Sequence, residues 1–107
     1  NICEGASSNF FILRNDALYT PPLSLGILSG VTRAAVLSLC RDEGLPVVEA
    51  PFRPSEAQAA AEAFLTSSIR GILPVVRLDD KPIGDGLPGP LTRHIMQRYK
   101  ERYLSRK

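Results

Sequence analysis

Two short runs of strand-forming residues, Asn9-Phe10-Phe11-Ile12-Leu13 and Ala17-Leu18-Tyr19-Thr20, flank Arg14-Asn15-Asp16. Aromatic and branched side chains suit a pleated, packed surface, and Asn and Asp supply turn chemistry between them. The pattern predicts a β-hairpin. Pro21-Pro22 stops the second strand, since neither proline has an N–H to give to a ladder, and the chain runs irregularly to Gly30.

From Val31 the apolar residues Val31, Ala34, Ala35, Val36, Leu37, Leu39 and Cys40 recur with too little polar relief for a strand, while Arg33, Ser38, Arg41 and Asp42 take the other side. This predicts a mostly buried helix ending at Gly44, where a left-handed residue needs no Cβ. Leu45 to Ala50 then reads as a strand, and the succession of strand, helix and strand predicts an α/β arrangement. Pro54 to Gln58 starts a short helix with Ser55 as cap, and the alanine-rich run to Ala63 favours its continuation before Ala63-Phe64-Leu65-Thr66 turns to strand. Ser67 to Gly71 is a loop, Ile72 to Leu78 a strand, Asp79-Asp80 a turn and Lys81-Pro82-Ile83 a short edge strand. After the glycine- and proline-rich loop from Gly84 to Pro90, apolar residues at 91, 95, 99 and 103 predict an amphipathic helix from Leu91 to Leu104.

At 107 residues the chain is one domain, residues 1–107. An apolar fraction of 44%, a charged fraction of 22% and a net charge of +2 are ordinary for a globular domain and argue for neither nucleic acid nor membrane as partner. Arg93 to Lys107 concentrates basic residues on a solvated helix face and tail. Cys3 and Cys40 match no metal-ligand spacing and read as two reduced thiols of a cytoplasmic protein. The first residue is Asn1, and Ile2-Cys3-Glu4-Gly5 begins abruptly, as a piece of a longer chain does.

Three places carry candidate chemistry. Ser29-Gly30-Val31-Thr32 opens a helix, whose unpaired N–H groups and partial positive charge suit an anion, with Gly30 permitting close approach and Thr32 offering a hydroxyl. An ordinary helix cap by Ser29 or Thr32 explains the same residues. Thr66-Ser67-Ser68 puts three hydroxyls at the end of a strand, where binding groups gather in α/β proteins and where local turn bonds are the plainer use. Glu4, followed by Gly5-Ala6-Ser7-Ser8-Asn9 ahead of a buried strand, is either a paired carboxylate or an exposed loop acid. His94, the single histidine, falls on the polar side of the last helix.

Taken in order, Glu4-Gly5-Ala6-Ser7-Ser8-Asn9-Phe10-Phe11, Leu18-Tyr19-Thr20-Pro21-Pro22, Leu28-Ser29-Gly30-Val31-Thr32-Arg33, Glu62 to Ser68, Ile72-Leu73-Pro74-Val75, Ile83-Gly84-Asp85-Gly86 and Gly89-Pro90-Leu91-Thr92 resemble the class IV aminotransferases. These fold-type IV pyridoxal phosphate enzymes include branched-chain and D-amino acid aminotransferases and 4-amino-4-deoxychorismate lyase. The resemblance covers essentially the whole chain. It implies the C-terminal, cofactor-binding domain of such an enzyme, an α/β unit whose mixed sheet curls toward a barrel with packed helices.

For pyridoxal 5'-phosphate the resemblance implies that Glu4 faces the ring nitrogen and keeps it protonated, so that the ring accepts electrons from the substrate. Val31 and Thr32 bind the phosphate through backbone N–H groups and the Thr32 hydroxyl, beside Gly30, and Ser67 and Ser68 complete the seat. Leu28 packs on the ring, and Ser7 and Ser8 lie near it. The Schiff-base lysine of the family lies upstream of this glutamate; Lys81, Lys100 and Lys107 do not match its motif, so the chain alone is expected to be inactive. The intact parent is expected to be a homodimer moving an amino group between an amino acid and a 2-oxo acid. Gly71 and Leu73 depart from the aminotransferases, which usually have an acid and a threonine there, and resemble the lyase branch. A non-catalytic domain that kept the fold is the alternative from another class.

Overall fold

The structure is a computed structural model that describes residues 8–21, 31–67, 71–78 and 80–104. The expected hairpin is β1 (Ser8–Arg14) and β2 (Ala17–Thr20), paired antiparallel from Ile12↔Tyr19 to Arg14↔Ala17. Asn15 (φ 51°) and Asp16 (φ 64°) both take left-handed backbone, the two-residue reversal whose twist matches the strands it joins. On its other side β1 pairs antiparallel with β4 (Glu62–Ser67) along the register Ser8↔Ser67 to Leu13↔Glu62. β5 (Gly71–Pro74) adds antiparallel to β4, and β3 (Val47–Glu49) lies parallel to β2. A parallel neighbour needs a crossover, and α1 (Val31–Asp42) lies between β2 and β3 in the chain. The sheet order is β3-β2-β1-β4-β5.

This order buries β1 on both faces, which explains its nearly unbroken apolar run. Successive side chains alternate across a sheet. Phe10 and Ile12 enter one core with Phe52, Ala57, Ala63 and Ile83, beneath α2 (Pro54–Gln58) and the ribbon of β6 (Arg77–Leu78) and β7 (Lys81–Pro82). Phe11 enters the other with Leu18, Val36, Cys40, Phe64 and Ile95, beneath α1 and α3 (Pro90–Tyr99). Phe11 and Phe64, directly paired across β1 and β4, stack with centroids 4.9 Å apart. Among the described residues the mixed sheet ends at β3 and β5, and no pairing closes it into a barrel.

Several boundaries differ from expectation for local reasons. α2 lasts only five residues, since Glu62 already pairs with Leu13 and the alanines at 57, 60 and 63 are spent on the core. Its N-cap is Arg53 instead of Ser55: Pro54 occupies the first helical position, and the Arg53 N–H donates to the Glu56 carboxylate at 2.7 Å. The strand expected over 72–78 breaks after Pro74, with the Val75 N–H still donating to the Ala63 carbonyl at 2.9 Å, and resumes as β6 to pair with β7. Leu45 is held back from β3 by its N–H bond to the Cys40 carbonyl, just past Gly44 at φ 73°. The last helix passes from α3 into a wider π-helical turn, Lys100–Leu104.

Charged contacts join the end of α1 to α3: Glu43 meets His94 at 2.6 Å and Arg98 at 3.0 Å, and Asp42 meets Arg102 at 2.9 Å. The hydrogen bond with His94, then that from Arg98, holds the Glu43 carboxyl below its ordinary range. Cys40 is buried and unpaired; burial, and secondly the charge of Glu43, push its thiol up to about 11, so it packs as a small apolar group. Cys3 lies outside the described residues.

α3 begins with Pro90, which has no N–H, and the next two amides are capped from a distance. The buried Glu62 carboxylate accepts the Leu91 N–H at 3.0 Å and the Thr92 N–H at 2.6 Å. Gly89 is obligatory beside it, because a Cβ there would overlap the Glu62 side chain. Glu62→Ala is expected to destabilise the fold by about 2 kcal/mol, the cost of losing charge-assisted caps, read as a lowered urea midpoint at unchanged slope.

Candidate functional site

β1 begins, β4 ends and β5 begins at one end of the sheet, where Ser67 pairs with Ser8 on one side and with Gly71 on the other. α1 starts at the same place. The buried Thr32 hydroxyl, in its first turn, donates to the Ser67 carbonyl at 2.7 Å. From α3, the Tyr99 hydroxyl comes within 3.3 Å of Thr32 Oγ1. Thr32 is therefore gripped between the sheet and the last helix.

The same end of the sheet holds buried polar atoms without partners among the described residues. Asn9 and Thr66 pair across β1 and β4, and by the alternation that places Phe11 and Phe64 they lie on the face covered by α1 and α3. Asn9 Oδ1 and Thr66 Oγ1 are buried with no hydrogen-bond partner among the described residues. Arg33, next to Thr32, is 3% exposed; its Nη2 reaches Glu49 Oε1 at 3.3 Å and its Nε has no partner among the described residues. Native interiors satisfy nearly all such atoms, so a cluster of exceptions marks a place completed by something further.

The chemistry of this corner fits a phosphate group. A helix start presents N–H groups without intrahelical partners and the positive end of the helix dipole. α1 has no acid in its first turn, and Arg33 adds a cation there. The Thr32 hydroxyl, its proton given to the Ser67 carbonyl, ties the helix start to the strand end and leaves the backbone N–H groups of that first turn as the donors. Strand ends beside a helix start are where α/β proteins place anionic ligands.

Of the residues singled out from the sequence, the structure brings together Val31 and Thr32 at the start of α1, Ser67 at the end of β4 and the backbone of Ser8 beside it. Glu4, Ser7, Leu28, Gly30 and Ser68 lie outside the described residues. His94 is at the surface, as expected, engaged with Glu43. Sequence reading missed Tyr99, which sits in the apolar register of the last helix; its signal was a hydroxyl on a packing position, since buried tyrosines bond their O–H. It also missed the pairing of Arg33 with Glu49.

That pair is lopsided, with side chains 4% and 50% exposed, so the cation is the buried partner. Glu49→Gln is expected to cost roughly 1–3 kcal/mol in thermal unfolding, less than the loss of one partner from a fully buried pair. A second change, Arg33→Met, is expected to restore part of that loss, since it removes the unpaired cation.

Comparison with known proteins bears on the same elements. Residues 1–78 match the amino-transferase class IV family. The chain is 38% identical over 104 residues to the D-alanine aminotransferase of Bacillus licheniformis, covering 97% of this chain and 37% of that protein. It superposes on the branched-chain amino acid aminotransferase of Escherichia coli with a TM-score of 0.85 at 32% identity, over 94% of this chain and 34% of the other. On the T.th. branched-chain amino acid aminotransferase with pyridoxamine 5'-phosphate the TM-score is 0.85 at 31% identity, over 92% of this chain and 32% of that one. The chain thus spans about a third of the length of these relatives.

Proposed function

As the chain belongs to the class IV aminotransferases, we propose that it is the C-terminal, cofactor-binding part of a pyridoxal 5'-phosphate enzyme that moves an amino group between an amino acid and a 2-oxo acid. The observation that carries this reading is the Thr32 to Ser67 hydrogen bond, which joins a helix start to a strand end at a corner suited to phosphate. The similar proteins are D-alanine and branched-chain amino acid aminotransferases, which favours transamination over the eliminating lyase branch.

On this reading the backbone N–H groups of Val31 and Thr32 take the phosphate, with Gly30 allowing close approach and Ser67 and Ser68 lining the opposite side. Arg33 strengthens the positive potential at that point, and its pairing with Glu49 keeps the cation from being stranded. Glu4 holds a proton at the ring nitrogen, Leu28 packs on the ring and Ser7 and Ser8 border it. When bound, the cofactor supplies a ring that accepts the electron pair released at the substrate α-carbon.

Among the described residues the lysines are Lys81, exposed on β7, and Lys100, exposed where α3 gives way to the π-helical turn. Lys100 lines a groove with Gly71 and Tyr99, and neither lysine matches the Schiff-base motif of the family. The anchoring lysine is accordingly assigned to the rest of the parent protein, and this chain alone is inactive. The parent on this reading acts as a cytoplasmic homodimer; no helix among the described residues is long and apolar enough to cross a membrane.

Mixing the intact parent with pyridoxal 5'-phosphate and an amino acid donor is expected to change the cofactor's absorption as the amino group is transferred. Adding 2-oxoglutarate is expected to reverse the change. A stable spectrum with D-alanine and with the branched-chain L-amino acids would count against transamination.

A further inference from the structure

Resting on the reading of this corner as a phosphate seat, we propose that Tyr99 is a positioning residue for the cofactor, acting through Thr32. The direction of the hydrogen bonds carries the argument. A carbonyl oxygen only accepts, so the 2.7 Å contact with Ser67 commits the single hydroxyl proton of Thr32. In the 3.3 Å contact between Thr32 and Tyr99 the Tyr99 O–H is then the donor. Thr32 Oγ1 is fixed from two sides, giving to the sheet and receiving from α3.

Tyr99 is itself held where it can do this. Its ring lies against Gly71, the residue of β5 that pairs with Ser67: a Cβ on Gly71 would sit 3.5 Å from Tyr99 Cε2. Its other neighbour is Tyr103, with ring centroids 5.3 Å apart. The same side chain therefore touches the start of α1 and the start of β5, with the end of β4 between them. With its proton given to Ser67, the Thr32 hydroxyl acts as a brace, and the donors left for an anion are backbone N–H groups of the first turn of α1. Losing the Tyr99 hydroxyl leaves Thr32 held from the sheet alone and loosens that turn without removing any group that touches the ligand.

The test is the dissociation constant of pyridoxamine 5'-phosphate, measured by calorimetric titration of the intact parent. Tyr99→Phe keeps the ring and is expected to weaken binding about 3- to 10-fold, the range for one neutral hydrogen bond. Thr32→Val is expected to weaken it at least as much, and Thr32→Ser, which keeps the hydroxyl, to restore most of the affinity. If Tyr99 acts through Thr32, Tyr99→Phe adds nothing in the Thr32→Val background. Tyr103→Phe is expected to bind as the unmodified protein does. Unchanged affinity in Tyr99→Phe alongside a weakened Thr32→Val would overturn the positioning role and leave the seat standing. Additive losses in the double variant would overturn action through Thr32. Unchanged affinity in Thr32→Val would overturn the brace, and the role of Tyr99 with it, whereas no measurable binding by the unmodified parent would overturn the seat.

Discussion

Phe10 and Ile12 project from β1 into one core while Phe11 projects into the other, so the central strand needs cover on both faces. That need organises the remaining chain. α1 and α3 close one face, α2 and the β6–β7 ribbon close the other, and β4 supplies Phe64 and Ala63 to each in turn. Burial of the two stacked phenylalanines at the β1–β4 pairing is worth about 2–3 kcal/mol for each ring. The surface network of Glu43, His94 and Arg98 contributes far less, because its groups stay solvated.

The site follows from the same pairing. Antiparallel register over β1, β4 and β5 brings Ser8, Ser67 and Gly71 into line at one end, and α1, lying over the Phe11 face, starts at that end. Thr32 then reaches the Ser67 carbonyl, and the packing that shields Phe11 also fixes a helix start against a strand end. The packing of the core and the geometry of this corner are thus consequences of one arrangement. The cost is visible in Asn9, Thr66 and Arg33, each buried with a polar atom that has no partner among the described residues. A structure optimised for stability alone would have apolar residues there.

Much of this was legible beforehand. The hairpin followed from strand-forming runs around Asn15-Asp16, and α1 from its apolar spacing and Gly44. The corner where Thr32 meets Ser67 was readable as pieces, because a helix start with a hydroxyl and a strand end with hydroxyls each carry local signals. What local signals could not say was that Thr32 and Ser67, 35 residues apart, touch. Non-local pairings such as Glu62 with the start of α3, Arg33 with Glu49 and Tyr99 with Thr32 have no sequence period to betray them. The helix expected to run on toward Ala63 stopped at Gln58 because alanine propensity and tertiary demand disagreed there, and burial against β1 won.

The central claim is that the start of α1 and the end of β4 receive the phosphate. Backbone amide resonances of the isotope-labelled intact parent, followed while pyridoxamine 5'-phosphate is added, test it residue by residue. The account predicts that the amides of Val31 and Thr32 move most, with Ser67 following. Shifts confined to the groove between β5 and α3, around Arg93 and Lys100, with Val31 and Thr32 unmoved, would contradict it.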